Sequence, residues 1–479
     1  MTSPSSYRLP KEESVRLRRS LIGKNVQLFY KHEPLKIVRA HGQYMYDEQG
    51  TEYLDCLNNV AHVGHCHPHV VAAGSHQMSL LCTNNRFLHD NILLVSQKLR
   101  ETLPKELCVF YFVNSGSEAN DLAMRLARAH TGAIDTICLD HAYHGHVISQ
   151  IDVSPYKFNN TGGAGKPEDT HVAPVPDAYR GIFRDMDHVG EDLAALYASE
   201  VDKLIAGIHK KGRDVCAYIA ESMQSCGGQV IPPKGYFQNV YNSVRKAGGV
   251  CIADEVQVGF GRVGKHMWSF QCDGVVPDIV TMGKPMGNGH PVACVATTQA
   301  IADSFSDQGM EYFNTCGGNP VSGAIALAVL EAIDNDHLLQ NATQIGDYVM
   351  EKCRELQNKH YIIGDIRGRG MFLGIDLVKD RITREPDTLG TKYVVNRLRE
   401  ERVLLRSDGP FNNILKFKPP MCFNMKDADR MIATLDKIFT EIEDISTVHK
   451  YNADIEEREK YHFHPTSQIS VKPTSKSKL

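Results

Sequence analysis

Residues 108–129 read CVFYFVNSGSEANDLAMRLARA, and this stretch decides the fold. Its first six residues, Cys108 to Val113, form an unbroken apolar run of strand length, rich in β-branched and aromatic side chains. Beyond it, Ala119, Leu122, Ala123, Leu126 and Ala127 recur at i, i+3, i+4, i+7 and i+8, the spacing of one helix face. A helix entered directly from a buried strand is half of a crossover unit, so a parallel sheet is expected. The junction, Asn114-Ser115-Gly116-Ser117-Glu118, sets free backbone N–H groups, a glycine and serine hydroxyls at a helix N-terminus. That pattern suits an anion such as phosphate, and it equally suits a plain helix cap.

Working outward, strand-length apolar runs recur at Thr136–Leu139, Val215–Ala220, Val250–Ala253, Asp278–Met282 and Val292–Thr297, with helical stretches between them. From about Val70 to Thr298 the expectation is therefore parallel strands joined by crossover helices. From about Ile325 to Ile445 the pattern is helix, short strands (IIGDIRGRGMFLGIDLV), then helix, a smaller α+β unit. Near the start, YMYDEQGTEYLD predicts a hairpin around Glu48-Gln49-Gly50 that packs beside the smaller unit or against a partner subunit. The expected division is 1–69 as an N-terminal segment, 70–324 as the large domain, 325–447 as the small domain and 448–479 as a tail. Its closing run, HPTSQISVKPTSKSKL, has too few apolar groups to pack, and the tail is read as largely disordered.

Across 479 residues, 53 Lys+Arg stand against 57 Asp+Glu, a net charge of −4, which argues against a dedicated nucleic-acid binder. The thirteen cysteines lie between Cys56 and Cys422 without a C-x-x-C pair, as reduced thiols of an intracellular protein would. The longest apolar stretch, Gly323 to Leu330, is far short of the ~20 residues that cross a bilayer, so no membrane span is expected. The N-terminus mixes Ser and Arg as a mitochondrial transit peptide does, yet Glu12 and Glu13 favour a solvated first helix.

Two residues carry chemistry. Asp254 closes the strand in VCIADEVQ, and Lys284 follows the strand in DIVTMGKPMGNGHP, so both stand at carboxyl ends of strands, where open α/β sheets bind ligands. An amine that loses its proton readily is a nucleophile toward an aldehyde. Pyridoxal 5′-phosphate needs an amine for its aldehyde, a carboxylate for its ring nitrogen and an anion site for its phosphate, and these three features match it. Two other patterns lead elsewhere. Gly259-Phe260-Gly261-Arg262-Val263-Gly264 fits G-x-G-x-x-G, but no helical period follows it, which speaks against a dinucleotide site. His62, His65, His67 and His69 suggest zinc, but Pro68 breaks helical ligand spacing, so no metal is expected and the loop is read as a wall of the substrate pocket.

NSGSEAND, LDHAYHGH, ADEVQVGFGRVG, TMGKPMGNGHP and NTCGGNPVS, with NNVAHVGHCHP, SPYKF and ESMQSCGGQ, together resemble the class III (subgroup II) pyridoxal-phosphate aminotransferase family over nearly the whole chain to about residue 445. The resemblance implies fold type I: a large domain with a mostly parallel, seven-stranded sheet plus a smaller α+β domain. It implies Lys284 as the Schiff-base lysine, Asp254 as the ring-nitrogen partner, Gln257 at the ring's phenolic oxygen, Tyr143 stacked on the ring, and Gly116 with Ser117 at the phosphate. Thr315 would reach the cofactor of a neighbouring subunit, which implies a homodimer with shared sites. One position departs from the family. Where its ornithine-type transaminases carry an arginine three residues before the paired prolines, Lys416 stands in LKFKPP. Arginine grips a carboxylate with a fork, whereas lysine is a point charge, so a dicarboxylate co-substrate is disfavoured.

Glu221 resembles the family glutamate that pairs with that arginine, and a Glu221–Lys416 contact is expected. The resemblance lies toward the family's phospho-lyase branch, implying elimination of phosphate and ammonia from a phosphorylated amine. Phosphoethanolamine is preferred and 5-phosphohydroxy-L-lysine is the alternative, with an alanine–glyoxylate or ω-amino acid transaminase as the same-fold alternative. By charge, Lys416, His62, Arg86 and Arg406 are candidates for the substrate's phosphate. A mitochondrial location follows from resemblance, with the cytoplasm as alternative.

Overall fold

The computed structural model describes residues 9–30, 33–160, 162–442 and 451–453. Of the tail expected to be largely disordered, 448–479, only 451–453 are among them, and they are helical; the rest of it and the first eight residues lie outside the described residues.

Seven strands make the central sheet: β1 (Val109–Val113), β2 (Asp135–Leu139), β3 (Thr170–Ala173), β4 (Val215–Glu221), β5 (Val250–Asp254), β6 (Ile279–Met282) and β7 (Ala293–Thr297). Their order across the sheet is β1-β7-β6-β5-β4-β2-β3. Strands β2, β4, β5, β6 and β7 are buried at every position, as a sheet covered on both faces requires. Six of the seven coincide with the apolar runs of the sequence. The seventh, β3, is short and polar (THVA) and sits at the edge with β2 as its sheet neighbour, so it carries no long apolar signal.

One expectation needs correction. Val292–Thr297 was expected among the parallel strands, but β7 runs antiparallel to both neighbours, β1 and β6. The connection from β6 to β7 spans 283–292, shorter than the dozen or so residues that a parallel crossover needs, so the chain turns back. The fold class is therefore α/β with a mixed, mostly parallel sheet.

The helix Gly116–Thr131 leaves β1 directly. Its cap residue Ser115 accepts a hydrogen bond from the Glu118 N–H at 3.2 Å, and Gly132, at φ +67°, closes it in the left-handed conformation that a side chain would strain. Ala119, Leu122, Ala123, Leu126 and Ala127 are all buried against the sheet, as their spacing predicts.

Tyr44–Asp47 and Glu52–Asp55 form the predicted hairpin, turning through Gly50 at φ +88°. Val403–Leu404 adds to that sheet parallel to Glu52–Asp55, and the side chains of Gln43 and Tyr44 hydrogen-bond to Asp427. The start of the chain is thus stitched to its last third. There, Ile363–Arg369 and Phe372–Asp380 pair antiparallel, followed across the sheet by Ile414–Phe417 and Arg406–Asp408. Helices Leu338–Lys359 and Met425–Ile442 cover this sheet's neighbourhood with buried faces of Ile345, Val349, Met431, Leu435 and Ile438. None of the thirteen cysteines is in a disulfide.

Candidate active site

Because β1, β4, β5 and β6 run the same way, their carboxyl ends share one edge of the sheet. A cavity of about 290 Å³ opens there, lined among others by Gly116, Ser117, Asn120, Tyr143, His144, Glu221, Asp254, Gln257 and Lys284.

Asp254 is the last residue of β5, and its carboxylate is held by three donors. Asn120 Nδ2 and His144 Nδ1 each lie 2.8 Å from Oδ2, and the Val256 N–H lies 3.1 Å from Oδ1. Asn120 is itself oriented by the Thr281 hydroxyl, which donates to Oδ1 at 2.7 Å. This chain of bonds fixes a buried carboxylate in one direction, as an acceptor for a ring nitrogen requires. Neither Asn120 nor His144 is recognisable as a site residue from sequence spacing. His144 adjoins Tyr143 in HAYHGH, and that adjacency was the available signal.

Lys284 follows β6 across Gly283 and opens a single turn, Lys284–Gly287. Burial lowers the pKa of its ammonium, against the charges of Asp254 and Glu221, so the amine is more available as a nucleophile than an exposed lysine. The backbone around it is glycine-lined for a reason. A Cβ on Gly116 would meet Val256 Cγ1 at 2.7 Å, and one on Gly283 would meet the same atom at 2.9 Å. At the N-terminus of the helix Gly116–Thr131, Ser117 Oγ accepts from the His146 N–H at 3.0 Å, and a Cβ on Gly145 would lie 2.8 Å from that oxygen.

Gln257 accepts at Oε1 from Asn59 Nδ2 and from Lys418 Nζ, each at 3.3 Å, which leaves its Nε2 as the free donor. Tyr143 packs edge-on against Tyr156, 6.0 Å between ring centres, with Lys157 Nζ 5.4 Å from the Tyr143 ring centre. Lys418 was not anticipated, since nothing in its sequence surroundings separates it from a surface charge.

Several expected residues lie elsewhere. The Glu221–Lys416 contact is corrected: Lys416 forms its ion pair with Asp408 and donates to Ser225 Oγ at 3.3 Å, while Glu221 Oε2 accepts from the Ser225 N–H at 3.3 Å. Ser225 thus stands between the two. Lys416 lies opposite Arg406 in the sheet register, which makes Asp408 its diagonal neighbour on the same face and gives it the nearer carboxylate. Glu221 Oε1 has no partner, and burial with the nearby charge of Asp254 pushes the carboxyl up to about 8.

His62 is also corrected. It is 0% exposed, with Nε2 donating to the Phe260 carbonyl at 2.7 Å and Nδ1 accepting from Arg262 at 3.1 Å, so no substrate reaches it. Arg86 stands outside the cavity, over the Phe313 ring at 4.1 Å and 3.6 Å from Glu311. Thr315 is exposed and outside the cavity of its own chain, and Arg406 stacks on Phe29 at 4.3 Å.

The two distracting motifs acquire other roles. Gly261 and Gly264 admit Leu339 and Thr343 of the helix Leu338–Lys359, and buried Arg262 donates to the carbonyls of Met371 and Pro419. The glycine motif is a packing hub between the central sheet and the last third of the chain. His65, His67 and His69 each contact an acid of their own, Asp55, Asp336 and Glu331. Among the described residues, no group of three or more His, Cys, Asp or Glu is placed to hold a metal ion.

A family model, aminotransferase class-III, matches residues 28–439. The chain belongs to the class-III aminotransferase family. It is 55% identical over 439 residues to the alanine–glyoxylate aminotransferase 2-like protein of Drosophila melanogaster, covering 91% of this chain and 89% of that one. It is 47% identical to ethanolamine-phosphate phospho-lyase homolog 1 of Caenorhabditis elegans, covering 90% and 94%. Among solved structures, a phospholyase from Arthrobacter in complex with phosphoethanolamine superposes with a TM-score of 0.84 at 36% identity, covering 89% of this chain and 99% of that one.

The family is fold type I and dependent on pyridoxal 5′-phosphate, and so is this enzyme. Family members act on small amines and are typically dimers. A more distant relative, the human alanine–glyoxylate aminotransferase 2, 36% identical over 86% of this chain and 83% of that one, is named as mitochondrial. No described helix is long and apolar enough to cross a membrane.

The cavity fits the cofactor on its own chemistry. It joins an oriented buried carboxylate, an amine of lowered proton affinity, a free amide donor on Gln257 and a glycine-lined helix N-terminus with no space for side chains.

Proposed function

We propose that this enzyme is a phospho-lyase that removes phosphate and ammonia from a phosphorylated amine, with phosphoethanolamine as the first substrate to try. The observation that carries the reading is the state of Lys416. At the position where ornithine-type transaminases of the family carry an arginine, the chain offers a lysine whose ammonium is taken by Asp408 and Ser225. A forked cation for the carboxylate of a keto-acid acceptor is missing from that position, so the second half of a transamination lacks its anchor. The C. elegans homolog and the Arthrobacter phospholyase bound to phosphoethanolamine support the same direction.

When bound, pyridoxal phosphate supplies an aldehyde for amines and an electron-withdrawing ring. Asp254, held by Asn120 and His144, would keep a proton on the ring nitrogen, and Gln257 Nε2 would be the donor for the ring's oxygen. Gly116 and Ser117 would hold the cofactor's phosphate and Tyr143 would flank its ring, while Lys284 Nζ would serve as the base that takes the proton from the substrate carbon bearing the nitrogen. With phosphate on the next carbon, the C–O bond to phosphate breaks as that proton leaves. Hydrolysis of the remaining fragment gives acetaldehyde and ammonia.

Purified holoenzyme is expected to release inorganic phosphate from phosphoethanolamine with no keto acid added, read by a phosphate assay. Phosphate release from neither phosphoethanolamine nor 5-phosphohydroxy-L-lysine, alongside amine transfer to an added keto acid, would establish a transaminase instead. We further propose a homodimer in which exposed Thr315 serves the neighbour's cofactor, and a mitochondrial location. A sedimentation mass of one chain would refute the first, and recovery in the cytosolic fraction the second.

A further inference from the structure

We propose that Lys418 is the anchor for the phosphate of the substrate, an anion site set at the edge of the cofactor cavity. The proposal rests on the phospho-lyase reading for the identity of the anion. Lys418 follows the strand Ile414–Phe417, and its backbone N–H is tied to the Cys56 carbonyl at 3.0 Å, so its position is set by both the N-terminal segment and the last third of the chain. Its Nζ reaches Gln257 Oε1 at 3.3 Å, and Gln257 lines the cavity. Among the described residues, no carboxylate lies within ion-pair distance of it, whereas its neighbour Lys416 has Asp408.

A half-buried ammonium whose partner is a neutral amide oxygen is short of negative charge, and an incoming phosphate supplies it. Burial, with the charges of Lys416 and Lys284, already lowers the proton affinity of Lys418, which a bound dianion would reverse. Other candidates are taken: Lys416 by its ion pair, His62 by the core, Arg86 by Phe313 and Glu311, and Arg406 by its stacking on Phe29.

The test uses holoenzyme and two amines that cannot lose phosphate: 3-aminopropylphosphonate, in which CH₂ replaces the ester oxygen of phosphoethanolamine, and n-propylamine. Binding is read as the change in the cofactor's visible absorption. Lys418→Met is expected to weaken the phosphonate by roughly 10- to 100-fold, the worth of a charge-assisted contact, with propylamine held within about twofold. Lys418→Gln keeps a donor for Gln257 Oε1 without the charge and is expected to match Lys418→Met, while Lys418→Arg retains phosphonate binding.

The proposal is overturned if all variants bind the phosphonate like wild type. Equal loss of both ligands would also overturn it, as would a changed cofactor spectrum with unchanged phosphonate binding, which would mark Lys418 as an orienter of Gln257. A Lys418-dependent phosphonate site in an enzyme that releases no phosphate from any phosphorylated amine would uphold the anion site and refute the lyase reading.

Discussion

Lys284→Ala is expected to abolish turnover, by about 10⁴-fold or more, because one side chain performs two tasks. In the proposed reaction its amine would hold the cofactor's aldehyde and also move the substrate proton. The position is hard to replace. A Cβ on Gly283 or Gly116 would collide with Val256, so the backbone at Lys284 is packed tightly against the end of the sheet. Lys416 is held by Asp408, and Lys418 lies across Gln257.

The variant should still fold, since Lys284 donates no hydrogen bond among the described residues and its removal relieves a buried charge. Two measurements check this. Borohydride should no longer fix the cofactor covalently to the protein, and phosphate release should fall to background. Covalent fixation retained in the variant would show that another amine bonds the cofactor, and phosphate release at more than about one part in 10² of wild type would show that another group does the proton transfer.

Asp254→Ala is the second large effect, with turnover expected to fall by about 10² to 10³, the scale of one preorganised electrostatic contact. Its cause is distributed. The carboxylate accepts from Asn120, His144 and the Val256 N–H, so removing it strands three donors in a buried place as well as leaving the ring nitrogen without its counter-charge. The apoprotein should therefore melt at lower temperature, and the holoenzyme should lose cofactor on dilution. Asp254→Asn separates the two causes, because it keeps the shape and an acceptor but not the charge. If the asparagine variant turns over at the wild-type rate, the charge is not what the ring nitrogen needs, and the assignment of Asp254 fails.

Much of this was legible in order along the chain. The strand-to-helix junction at 108–129 declares a crossover unit, since helix and strand periods are local properties of side-chain spacing. Asp254 and Lys284 were recognisable because both end apolar runs, and the end of a run is the end of a strand. The edge strand β3 was invisible, as a strand with one neighbour needs no apolar face on both sides. The direction of β7 was missed although the short gap between Asp278–Met282 and Val292–Thr297, too short for a parallel crossover, stands in the sequence; the pairing shows the chain turning back.

What the sequence by itself determined is the α/β architecture, the family and the positions of Asp254 and Lys284 at strand ends, because each is written in short-range pattern or in long matching motifs. What only the tertiary structure decided is how the cations are shared out. Lys416, Lys418, His62 and Arg86 are alike as charges in a sequence, and partner distance separates them. Asp408 satisfies the first, an amide oxygen alone faces the second, the core encloses the third and an aromatic ring covers the fourth. A charge acquires its role from the nearest opposite charge and from the water it has lost, and both are set by residues brought together from distant parts of the chain.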